Sequence, residues 1–88
     1  MKLKDGFVMK KIANEYVVVP IRRRAMEFNA VIKLTESGAM LWQKLESGAE
    51  SDELIATLLD EYDVDEARAA ADVERFLLKL RDADILEG

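Results

Sequence analysis

Apolar residues fall in short runs along the first third of the chain and recur at helical spacing in the rest. Phe7-Val8-Met9-Lys10-Lys11-Ile12 and Tyr16-Val17-Val18-Val19 are rich in β-branched and aromatic side chains, which suit a pleated, half-buried surface, and read as two strands. Ala13-Asn14 between them predicts a tight turn, since Asn tolerates positive φ. Pro20 has no N–H to give to a ladder and marks the end of the second strand. Arg22-Arg23-Arg24-Ala25-Met26 reads as a loop. A third strand is predicted from Phe28 to Leu34. It sets Phe28, Ala30, Ile32 and Leu34 on one face and Asn29, Val31 and Lys33 on the other.

From Thr35 onward the period changes from 2 to 3.6. Thr35 is a good N-cap for a helix running from Glu36 to about Glu46, which would bury Ala39, Trp42 and Leu45. Gly48 sits where a left-handed C-terminal cap belongs. Ser51 is the expected cap of a second helix with an apolar stripe of Leu54, Ile55, Leu58, Leu59 and Tyr62. Asp65 is the expected cap of a third, reaching about Asp82, with Val73, Phe76, Leu77 and Leu80 on one face. Asp84-Ile85-Leu86 reads as a tail with a stub of strand. The fold class is therefore α+β: a three-stranded antiparallel sheet followed by three helices, which must cover the sheet because three strands cannot bury a face alone.

Length and composition narrow the options. With 88 residues the chain fits one domain over 1–88. No apolar run approaches the roughly 20 residues that span a bilayer, so no membrane partner is expected. The charged opening Met1-Lys2-Leu3-Lys4-Asp5-Gly6 does not resemble a signal peptide, and Cys is absent, which together point to the cytoplasm. His is absent as well, removing the commonest general acid/base and the usual transition-metal ligands. The run Asp60 to Glu66 lacks the Gly and the terminal Glu of a Ca²⁺ loop and reads as helix end, turn and cap. No catalytic residue, metal or cofactor is expected. A net charge of -5 also counts against nucleic acid, because a DNA binder needs cations to displace phosphate counterions.

Leu34-Thr35-Glu36-Ser37-Gly38-Ala39-Met40-Leu41-Trp42, followed by Glu53-Leu54-Ile55, Glu61-Tyr62, Asp72-Val73 and Phe76-Leu77-Leu78-Lys79-Leu80, resembles the PqqD-like family of peptide recognition elements. Gly6-Phe7-Val8 and Tyr16-Val17-Val18-Val19-Pro20 fit the same pattern, so the resemblance covers nearly the whole chain. It implies a winged helix-turn-helix scaffold turned to peptide capture. In this family the leader segment of a ribosomally made precursor is bound and handed to a modifying enzyme, often a radical S-adenosylmethionine enzyme. The leader adds as an antiparallel strand to the third strand, in a groove walled by the third helix.

Carried onto this chain, that mode makes the edge Glu27, Phe28, Asn29, Ala30, Val31, Ile32 and Lys33 one wall and Asp72, Arg75, Phe76 and Lys79 the other. The edge offers unpaired N–H and C=O groups, and flanking pockets would choose side chains. An open edge equally permits a homodimer. Arg22-Arg23-Arg24 is the only dense basic cluster and could steer an acidic partner. The competing reading is a winged-helix DNA-binding transcriptional regulator with the third helix in the major groove. There Arg68, Arg75, Lys79 and Arg81 are diluted by Glu66, Asp72, Glu74, Asp82 and Asp84.

Overall fold

In the computed structural model, which describes residues 1–27 and 31–87, the predicted hairpin forms the body of the sheet. A short strand β1 (Lys2–Leu3) comes first, then β2 (Phe7–Ile12) and β3 (Glu15–Pro20). β2 and β3 pair antiparallel from Phe7↔Pro20 to Ile12↔Glu15, leaving Ala13 and Asn14 as a two-residue turn. Such a turn matches the strands' twist only with positive φ at its first central residue. Ala13 therefore takes φ 57°, not Asn14 as the sequence implied.

The arginine run is not a loop. Arg23–Glu27 forms a helix, α1, entered through Arg22 at φ 55°. Arg, Ala, Met and Glu are all good helix formers. Arg24 fixes the helix to the sheet: its guanidinium lies 5.5 Å from the centre of the Phe7 ring and its Nε donates to the Asp5 carbonyl at 3.1 Å. Gly6, at φ 92°, makes room for this, because a Cβ there would lie 2.3 Å from Arg24 Cγ.

The third predicted strand is shorter than expected among the described residues. β4 (Ile32–Leu34) pairs antiparallel with β3 through Val18↔Ile32, Val17↔Lys33 and Tyr16↔Leu34. The predicted face assignment agrees here, with Leu34 buried, Ile32 half-buried and Lys33 exposed. The sheet order is β2-β3-β4, so β4 is an edge.

Three helices follow, at the positions read from the sequence: α2 (Glu36–Glu46), α3 (Ser51–Glu61) and α4 (Glu66–Asp82). Thr35 Oγ1 accepts from the Gly38 N–H at 3.1 Å, and Asp65 from the Arg68 N–H at 2.8 Å, each satisfying an orphan donor of the first turn. The α3 cap lies one residue earlier than Ser51. Glu50 is the N-cap, and Glu53 reaches back to accept from its N–H at 3.0 Å. Gly48 closes α2 at φ 87°, its N–H donating to the Leu45 carbonyl at 3.0 Å.

α4 ends in the pair of bonds expected of a Schellman motif, Asp84 N–H to Arg81 and Ile85 N–H to Leu80, both 2.9 Å. Asp84 takes the left-handed position usually given to Gly, at φ 59°. Lys4 bonds its carboxylate at 2.5 Å, and that hydrogen bond and charge hold the carboxyl below the usual range. Beyond it β5 (Leu86–Glu87) pairs antiparallel with β1.

One apolar cluster joins these layers. Val18 and Leu34 come from the sheet, Trp42 and Leu45 from α2, Leu54 and Leu58 from α3, and Val73, Phe76, Leu77 and Leu80 from α4. Trp42 is fully buried, as its helical position predicts, and Ile32 packs against the cluster it centres. Its indole Nε1 has no hydrogen-bond partner among the described residues, so packing holds the ring. Trp42→Ala should therefore cost about 3–5 kcal/mol, a large part of the ~5–15 kcal/mol that such domains possess. Urea unfolding followed by circular dichroism checks this, and a midpoint close to the parent's would contradict the placement of Trp42 at the centre.

Candidate functional site: a trough between the β4 edge and α4

Spacing along α4 creates the site's outer wall. Arg68, Asp72, Arg75 and Lys79 follow one another at i, i+4, i+7 and i+11, so they share one helix face. Ala69, Val73, Phe76, Leu77 and Leu80 form the neighbouring stripe and are buried. Burying that stripe turns the charged face toward the sheet edge, and the four charged residues line a groove of about 420 Å³ with Leu34 of β4 and Thr35. Phe76 is both core and groove floor.

Within the wall, the charges are arranged unequally. Asp72 pairs with Arg68 at 3.4 Å and accepts a hydrogen bond from Arg75. Its one negative charge is thus shared between two guanidinium groups. Lys79 enters no ion pair among the described residues.

The other inward residue of β4, Ile32, opens onto a second depression of about 390 Å³. Phe7, Val18 and Pro20 of the sheet and Ile85 beyond α4 give it an apolar lining, with Asp82 and Asp84 also at its wall. Leu34 thus faces the Arg68–Lys79 stretch of α4 and Ile32 faces the residues after it. β4 and α4 therefore run in opposite directions along the two sides of one trough.

The structure brings together all four of the α4 residues expected from the sequence, Asp72, Arg75, Phe76 and Lys79, in one groove with Leu34, whereas Ile32 lines the other depression. Lys33 stands on the opposite sheet face, exposed and 3.6 Å from Glu15. Val31 precedes the ladder and is 57% exposed. Glu27 is corrected: it is not on a strand edge but ends α1, 3.6 Å from Arg24 as an i, i+3 pair. Phe28, Asn29 and Ala30 lie outside the described residues. The second depression went unrecognised in the sequence. The pairing of Val18 with Ile32 was its one accessible signal, since cross-strand partners share a face. Ile85 could not be placed there without the turn at Asp84.

Away from the trough, burial raises the Tyr62 hydroxyl pKa, and the nearby Glu36 and Glu61 carboxylates add to the effect. Leu78 is 49% exposed and borders a separate cleft with Ile55, Ala70 and Leu77. Among the described residues no helix is long and apolar enough to cross a membrane.

The family described as "Coenzyme PQQ synthesis protein D (PqqD)" matches residues 15–86. A solved structure described as TbiB1 in complex with the TbiA(beta) leader peptide is similar over 100% of this chain and 96% of its own, at 28% identity and a TM-score of 0.80. A lasso peptide synthetase B1 complexed with its leader peptide is similar over 99% and 96%, at 17% identity and a TM-score of 0.77, a likeness of fold. No curated protein matches the chain.

Arg75 and Lys79 are exposed and lie off the core stripe. Substitution of either by Gln should shift unfolding free energy by no more than about 0.5 kcal/mol, as for surface sites generally. Thermal melts of the two variants measure this. A loss of several times that size would make the wall part of the fold's own support and not a surface kept for a partner.

Proposed function

Because the chain belongs to the PqqD family, matched over residues 15–86, we propose that it is a non-catalytic module that binds the leader segment of a ribosomally made precursor peptide and presents it to a modifying enzyme. The observation that carries this reading is the edge strand β4, with no neighbour on its outer side among the described residues, beside a trough whose far wall is the charged face of α4. Backbone groups on an open edge can be satisfied by an extended peptide, while the trough receives its side chains. Two structural neighbours hold leader peptides, and the one at 28% identity is similar to this chain along its whole length.

In this reading the leader adds antiparallel to β4, between Val31, Ile32 and Lys33 on one side and Asp72, Arg75, Phe76 and Lys79 on the other. The enzyme it serves is of the radical S-adenosylmethionine class, as the family resemblance implies, and the setting is cytoplasmic. A second copy paired through the same edge is the competing occupant. The DNA-binding alternative is disfavoured by the placement of the α4 cations. Arg68, Arg75 and Lys79 line a groove against β4 and do not crown a convex face free to enter a major groove.

Amide chemical-shift mapping during titration with a precursor leader peptide tests the proposal. Shifts should cluster on residues 31–34 and 68–79. If the Val31 N–H points out of the sheet, Val31→Pro should weaken binding about tenfold by deleting a donor and setting a ring in the peptide's path; if it points toward β3, the same substitution at Ala30 or Ile32 is the probe, with folding checked by circular dichroism. Shifts confined to α2 and α3, with β4 silent, would contradict it, and tight salt-dependent binding to one duplex sequence would favour the regulator.

A further inference from the structure

We infer that the segment held along β4 carries an acidic side chain N-terminal to an apolar one, both on the face turned toward α4. This rests on strand addition to β4 and adds to it the chemistry and order of the recognised residues.

Direction comes first. Both ladders of the three-stranded sheet are antiparallel, and antiparallel pairing is somewhat the more stable per residue. A segment continuing that pattern enters beside Leu34 and leaves beside Ile32. Its N-terminal part therefore passes the first depression and its C-terminal part the second.

Charge then sets what each end accepts. Beside Leu34 the wall presents Arg68, Arg75 and Lys79 against the single carboxylate of Asp72, which those arginines already engage. A chain with net charge -5 thus concentrates positive charge at one end of its trough. Beside Ile32 the lining is apolar, and Asp82 stands at its wall. A carboxylate there would face Asp82 and lose hydration against Phe7, Val18 and Ile85, whereas an apolar side chain would gain by burial.

Spacing follows from geometry. Side chains on one face of a strand recur every second residue, about 6.6 Å apart. The helix advances about 4.5 Å from Lys79, and about 10.5 Å from Arg75, to Asp82 at the start of the second depression. The acidic and apolar positions should therefore stand two or four residues apart, not three.

The test is selection of random short peptides, displayed on their encoding messenger RNA, against the immobilised full chain at low salt. Enriched sequences should carry Asp or Glu two or four residues before a bulky apolar residue. A selected peptide should bind Lys79→Glu about five- to tenfold more weakly, as expected for reversal of a partly exposed charge contact, and Lys79→Gln more weakly in the same direction. The same peptide with its acidic and apolar positions exchanged should lose its advantage over unselected peptides. Enrichment without an acidic position, or with the acid on the C-terminal side, would overturn this inference while leaving strand addition intact. Full affinity in both Lys79 variants would do the same. Absence of any enrichment would remove the peptide-binding reading along with it.

Discussion

The rotation of α4 about its own axis decides what this molecule can do. Ala69, Val73, Phe76, Leu77 and Leu80 are apolar at helical spacing, and only one orientation buries them all against the sheet and α3. Once that stripe is committed, the neighbouring face with Arg68, Asp72, Arg75 and Lys79 has one place to go, beside the end of β4. The core thus sets the helix angle, the angle sets the wall, and the wall defines a trough along a strand edge. Trp42 of α2 is fully buried in the same apolar cluster.

An open strand edge is a hazard as well as a resource, because it offers a template for pairing with any extended chain. Here β4 adds three residues to the edge among those described, and the charged wall of α4 restricts what can lie against it. A backbone ladder tolerates many sequences, so discrimination must come from the two depressions. In the proposed binding mode their contrast, cationic beside Leu34 and apolar beside Ile32, would give the edge a direction as well as an affinity.

Much of this was legible in the residues. α2 and α4 begin where Thr35 and Asp65 place them, because capping is local chemistry and the apolar stripes behind the caps are long. Helical spacing alone puts Asp72, Arg75 and Lys79 on one face, but spacing could not say that this face walls a groove, and only the family resemblance implied it. What failed were features with no periodic signal. α1 buries no residue, so it has no apolar stripe to betray it, and Glu27 was assigned to a strand that does not reach it. β1 and β5 are two residues each, joined across almost the whole chain, and the turn that delivers β5 uses Asp84 where a Gly would have announced it. The Ile32 depression depends on that turn, and so it too was hidden.

The central claim is that β4 is completed by a peptide backbone and not merely touched by side chains. Native-state amide hydrogen exchange across residues 31–34, with and without bound leader peptide, measures this directly. If the leader joins the sheet, alternate amides in this stretch should gain protection, namely those whose N–H groups point away from β3, while their neighbours stay as they were. Protection confined to α4, with every amide from Val31 to Leu34 exchanging as in the free protein, would contradict strand addition.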